Sequence, residues 1–272
     1  MCRTILVFLA SALIFYVSGQ DPEDYQDTLT QILADEGPYG VLEYIDGFEE
    51  TTQIELFSIA RQVMVFGRWS DRNLDEIVMV GEAGIEQVMA MANAATDQLE
   101  IQTLLDIANV MSFNLSADIA QCWPGDTLYR SEELLQRGLS AALQCVEWRR
   151  ELNKDDYSLY IAYWAAGMHQ MSLNRPQEAV YNLVKALNHA QQYTIDSGLT
   201  LGLCPSAGFD LLLAHGYLGI AMEMCGMEDD QYSRAISAFH QGMEEYPEWS
   251  EDYSFGIEQL QWARGNLIDD SH

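Results

Sequence analysis

The sequence predicts an all-α protein. Apolar residues recur at helical rather than alternating spacing nearly everywhere after the first thirty positions, and β-rich runs bounded by turns are scarce. With 272 residues, 49% hydrophobic and 20% charged, the chain is long enough and apolar enough to bury a substantial core.

The elements follow in order. Arg3, the apolar run Ile5 to Val17, and Val17-Ser18-Gly19 read as a secretory signal over residues 1–19, with the mature chain beginning near Gln20 or Asp21; an uncleaved anchor is the alternative. Acidic helices are expected at 23–35 and 38–47, within a segment 20–51. Helices at 52–67, 73–94, 97–115 and 131–152 make up a stretch of divergent pairs, 52–155, in which Gly67 and Gly84 would permit close helix contact. Helices at 156–173, 176–194, 208–225, 230–245 and 251–268 complete the chain. Within 157–193, Pro176 suits a first helical turn because its missing N–H would be unpaired there, and Asn174 with Gln177 offers a capping pair. Asp155-Asp156 and Asp229-Asp230 fall at helix starts, where negative charge complements the helix dipole.

Two stretches share a finer pattern. Gly167, Ala179, Leu183 and Ala186 stand at small, small, large and small positions spaced by 12, 4 and 3 residues. Leu218-Gly219, Gly226, Tyr232, Ala235, Phe239, Gly242 and Pro247 repeat the arrangement over 211–247, with about four extra residues in the turn Met227 to Gln231. This resembles tetratricopeptide (TPR) repeats. The resemblance implies antiparallel helix pairs stacked in a right-handed solenoid, with divergent N-terminal helices and a C-terminal capping helix carrying Tyr253, Ile257, Leu260 and Leu267. A generic helical bundle is the simpler alternative. Leu105 to Leu115 with Glu132 to Leu152 would make a third pair, but the connection Ser116 to Arg130, containing Trp123-Pro124-Gly125-Asp126, is too long for the motif.

TPR geometry would turn Ile161, Trp164, Met168 and Met171 of one first helix, and Leu213, Gly216, Ile220 and Met224 of the next, toward a concave face. That face is apolar and lacks the Lys, Arg and Asn with which acidic peptide tails are clamped. Either another helix fills it, or it receives an apolar peptide or small molecule.

Charge and cysteines narrow the partners. The formal charge is −29, and loss of Arg3 with the signal makes it −30. Such a field repels nucleic acid and anionic membrane surfaces; it keeps an exported protein soluble or docks a basic partner. Cys2 leaves with the signal, and Cys122, Cys145, Cys204 and Cys225 permit two disulfides in three connectivities, with free buried thiols as the other outcome. If Phe209 to Cys225 is one straight helix, its ends lie ~24 Å apart.

No catalytic or metal site is expected: the chain lacks HExxH, a phosphate loop, GxSxG and an EF-hand loop, and its Cys and His spacing suits no zinc site. No cofactor is expected either. His169 and His215, on the first helices of the two TPR-like stretches, would come together only across a stack. Asn114-Leu115-Ser116 fits an N-glycosylation acceptor. The function expected is a non-enzymatic, periplasmic or secreted protein that binds or assembles a protein partner, with no membrane span after signal cleavage. Tyr157 to Met168 and the helix Arg130 to Leu143 also resemble the periplasmic T-components of TRAP transporters, which implies a ligand-handling subunit as the alternative. A helical hydrolase with a dispersed site stands third.

Overall fold

Capping and turn chemistry cut the described residues, 22–269 of a computed structural model, into eleven α-helices with no strand among them. They form two units, 22–119 and 120–269. The predicted signal, 1–19, lies outside the described residues.

The N-terminal unit contains α1 (Pro22–Asp35), α2 (Gly37–Asp46), α3 (Glu50–Arg61), α4 (Leu74–Ala94) and α5 (Gln98–Ile119). Asn73 caps α4 by accepting the N–H groups of Asp75 and Glu76 at 3.1 and 3.3 Å. Asp97 accepts those of Leu99 and Glu100, both at 3.0 Å, at the start of α5. Each cap satisfies N–H groups that have no partner within the helix. A π-helical turn, Gln62–Phe66, extends α3, so the predicted helix 52–67 is realised in two geometries. Gly67 is exposed at its end and makes no helix contact, whereas Gly84 is buried in α4, where an added methyl group would meet Phe57 of α3 and Met111 of α5. Both helices therefore pack on α4.

The C-terminal unit contains α6 (Glu132–Glu151), α7 (Asp156–Ser172), α8 (Pro176–Asp196), α9 (Phe209–Met224), α10 (Gln231–Glu245) and α11 (Ser250–Arg264), each packed on the next. Ser131 caps α6 by accepting Leu134 N–H at 3.1 Å, and Asp155 caps α7 by accepting Ser158 N–H at 2.7 Å. The expected Asn174–Gln177 cap does not form. Asn174 instead takes φ +55°, and the Arg175 N–H reaches back to Gln170 O at 2.8 Å, closing α7 with a left-handed turn; Pro176 then opens α8 as predicted. Asn tolerates this conformation because its short polar side chain eases the usual steric conflict.

Close approach within the pairs comes from the small residues. An added methyl at Gly167 would press on Leu183, which is buried in α8 together with Ala179 and Ala186. At Gly219 the backbone of Tyr232 occupies the corresponding space. Any side chain at these glycines would force the helices apart. Gln170 and Asn182 add a buried hydrogen bond of 2.9 Å across α7 and α8.

Candidate functional site

The predicted inner face is occupied by the protein itself. Ile161, Trp164, Met168, Met171, Leu213 and Ile220 are all buried, and Met224 is half-buried at the end of α9. Trp164 lies edge-on between Trp123, with ring centroids 6.1 Å apart, and Tyr217 of α9, 5.7 Å apart. Gly216 faces Leu260 of α11. Cys122 lies against Tyr217 and accepts a long contact from Gln259 of α11 at 3.9 Å.

The connection 120–131, too long for a repeat turn, thus runs across α7 and α9 as their cover. Its shape is fixed internally. Arg130 and Asp126, whose side chains are each 1% exposed, are paired, and Arg130 also donates to Ala120 O at 3.1 Å and Leu128 O at 2.7 Å. A buried guanidinium needs several acceptors, and this hairpin of chain supplies them.

All four cysteines are free thiols. Of the outcomes left open by the sequence, free thiols are the one found: Cys204 and Cys225 flank α9 at opposite ends, Cys145 sits within α6, and Cys122 is under the cover. Burial pushes the Cys122 thiol up to about 12 and that of Cys145 up to about 11. His169 packs against Gly138 of α6, and His215 shares a hydrogen bond of 2.7 Å with Gln231 of α10, so the two histidines do not meet. The acceptor Asn114-Leu115-Ser116 lies inside α5 with all three residues buried, which closes it to glycosylation in the folded chain. Among the described residues, no group of three or more His, Cys, Asp or Glu is placed to hold a metal ion, and no helix is long and apolar enough to cross a membrane.

A recess of about 740 Å³, counted to its open mouth, lies instead in the N-terminal unit. One wall is α3, with Ile54, Phe57 and Ser58; the other is α5, with Ile107, Val110 and Met111; Ile77, Val80 and Gly81 of α4 form the floor. The walls separate because each packs on α4, where the missing side chain at Gly81 lets Leu115 of α5 approach closely.

One end is closed by an ion pair. Arg61 Nε donates to Asp118 Oδ2 at 2.6 Å and a second guanidinium nitrogen to Oδ1 at 2.8 Å, joining the C-terminal ends of the walls. Asp118 is 1% exposed and Arg61 18%. Burial outweighs the guanidinium and holds the Asp118 carboxyl above its usual range. Asn114 lines the recess beside this pair. It is 8% exposed.

Of the two alternatives read from the sequence for the TPR-like face, filled or open, the face is buried, and sequence reasoning did not single out Arg61 or Asp118. The predicted helix ended at Leu115; α5 continues to Ile119 and carries Asp118 with it. The usable signal was a lone carboxylate in the otherwise uncharged run Ile107 to Ile119, in a chain with only 13 basic residues to pair it. Compared with protein-family models and with curated proteins, the chain matches none.

Proposed function

We propose that this chain is an exported, non-enzymatic TPR-like protein that assembles a protein partner, and that the partner's apolar segment enters the recess between α3 and α5. The observation that supports this reading is the recess itself: mostly apolar walls on two helices that do not close on each other, with Glu55 on the α3 wall and the Arg61–Asp118 pair at its end. Apolar surface left open in this way gains free energy when a partner covers it, at about 25 cal/mol per Å² removed from water. The consecutive packing of helix pairs and the small-residue contacts at Gly167 and Gly219 support the repeat reading.

Ser58 is exposed on the α3 wall, so Ser58→Trp fills the mouth without touching the core. A protein captured from a solubilised envelope or extracellular fraction by the wild-type chain, and lost with Ser58→Trp, is the expected result. Equal capture by both chains, or recovery of the bait alone, refutes the proposal. The closed end of the recess and its mostly apolar lining also favour a second reading, a ligand-handling subunit similar to a TRAP-transporter T-component, since small-molecule pockets are concave and largely apolar. In that case native mass spectrometry finds a small apolar molecule retained by the chain.

A further inference from the structure

We infer that an acidic segment of a protein partner docks on the C-terminal unit, its carboxylate taken by Arg150 of α6 and Lys185 of α8 and an adjoining apolar side chain laid on Tyr181 and Val184. The inference rests on the reading that the chain assembles a protein partner, and it adds a contact outside the recess.

Three observations lead to it. First, these two cations are left over. The chain has 42 acidic and 13 basic residues, yet neither Arg150 nor Lys185 forms an ion pair with a carboxylate of the described residues. Glu147 and Glu151 of α6 and Glu178 of α8 are exposed and pair with neither. Asp156 of α7 is taken by His189 Nδ1 at 2.6 Å.

Second, the two cations act on each other. Lys185 Nζ lies 4.3 Å from the centroid of the Tyr181 ring and 5.1 Å from that of Tyr163, so two rings hold the ammonium in place. The Tyr181 hydroxyl raises Lys185 above its ordinary value, and the Arg150 guanidinium acts in the opposite sense, as one cation does on another. Lys185 and then Arg150 hold the Tyr181 hydroxyl below its usual range. A carboxylate set against both cations replaces that repulsion with charge-assisted hydrogen bonds.

Third, the patch is open and partly apolar. Tyr181 is 63% exposed and Val184 41%, and both share one face of α8 with Lys185. A small free ion gains little at so open a place, because exposed ion pairs are solvated and screened. A segment that also covers the Tyr181 ring and Val184 removes apolar surface from water, and tyrosine is a frequent anchor of protein interfaces. A long polyanion fits worse, since a chain of formal charge −29 repels whatever extends beyond the two cations.

The test uses the purified chain and a pool of nine-residue peptides, acetylated and amidated at their ends and built from Asp, Glu, Ala, Leu, Phe and Ser, selected by affinity and identified by mass spectrometry. The best peptide, labelled with fluorescein, is titrated by anisotropy. Arg150→Gln and Lys185→Gln should each weaken binding roughly three- to tenfold, between what an exposed and a hydrogen-bonded charge pair contribute. Changing the acidic residue of the peptide to its amide should cost as much with the wild-type chain and nothing further with the double variant. Arg68→Gln removes the same charge from an exposed position of the N-terminal unit, and screening should keep its effect within about twofold. Urea unfolding of each variant checks that its fold is kept.

No enriched acidic peptide, equal losses in Lys185→Gln and Arg68→Gln, or an amide effect that persists undiminished in the double variant each overturns the inference. So does binding of inorganic phosphate at the patch with no peptide bound, which assigns it to a free anion, or self-association in sedimentation that Lys185→Gln abolishes, which assigns it to a second copy. Partner capture that depends on Ser58 while no acidic peptide couples to Arg150 and Lys185 leaves the recess standing and removes this patch. Peptide binding coupled to the two cations, with no Ser58-dependent capture, does the reverse.

Discussion

Asp210 should make the C-terminal unit less stable as pH rises from about 4 to about 7. It sits in the first turn of α9 and faces Tyr157 and Tyr160 of α7. The residue as a whole is half-buried, yet its Oδ1 is shut off from solvent and has no hydrogen-bond partner. Burial pushes its carboxyl from 3.8 up to about 7. Below pH 3.8 the folded and unfolded chains both hold the proton, and no penalty exists. Between 3.8 and about 7 only the unfolded chain releases it, so stability falls as pH rises; above 7 both are ionised and the penalty is complete. At 1.36 kcal/mol per unit, the full shift corresponds to roughly 4 kcal/mol, of which roughly 2.7 kcal/mol falls between pH 5 and pH 8. Partial exposure, and the favourable charge of the helix N-terminus, reduce the expected change to about 1.5 kcal/mol. Many other carboxylates titrate in so acidic a chain, so the informative quantity is the difference between Asp210→Asn and wild type in urea unfolding followed by tryptophan fluorescence. That difference should grow by about 1.5 kcal/mol in favour of the variant from pH 5 to pH 8. A difference constant to within about 0.3 kcal/mol refutes the burial argument.

Four further outcomes are expected. Gly138→Ala drives a methyl group into the His169 ring and should cost about 1–3 kcal/mol, whereas Gly265→Ala meets nothing within 4 Å and should change urea stability by less than about 1 kcal/mol. Arg61→Met strands the buried Asp118 carboxylate and should cost about 3 kcal/mol, most of it recovered in the same assay when Asp118→Leu is added. Trp123→Ala uncovers Trp164 and Tyr217, so a loss of about 3–5 kcal/mol should accompany increased binding of an apolar dye. With iodoacetamide at pH 8, the half-buried Cys204 and Cys225 should be alkylated in the native protein, and Cys122 and Cys145 only after unfolding, as mass mapping of the peptides will show.

The helices were legible because each is encoded locally. Apolar spacing located all eleven, and Asp155, Asp229 and Pro176 mark their starts as the sequence indicates. Even where local detail differed, as at Asn174, the replaced cap became a left-handed turn at the same position, so the helix pair survived the error. The contact between Gly167 and Leu183 was legible for the same reason: both residues lie in one helix pair, joined by one short turn.

The site was not legible because its parts are joined by tertiary structure alone. Arg61 and Asp118 are 57 positions apart, and nothing in the intervening periodicity says which face of α3 meets which face of α5. The apolar stripe of the two TPR-like first helices is not the recess for a related reason. An apolar stripe on two first helices specifies burial but not what buries it, and here 120–131, whose length and Trp123-Pro124-Gly125 turn marked it as irregular, supplies the cover. The irregular connection should have been weighed as a packing element: Arg130 and Asp126 give it a buried ion pair of its own, which a solvent-exposed loop would have no use for. In α3 to α5 no such connection crosses the walls within the described residues. The 12 residues between α3 and α4 are taken up by the π turn and the short helix Trp69–Asp71, and only three residues separate α4 from α5. Apolar helix faces are thus covered where the connecting chain is long enough to lie across them and remain open where it is not, which is why the recess falls in the half with the weaker repeat pattern.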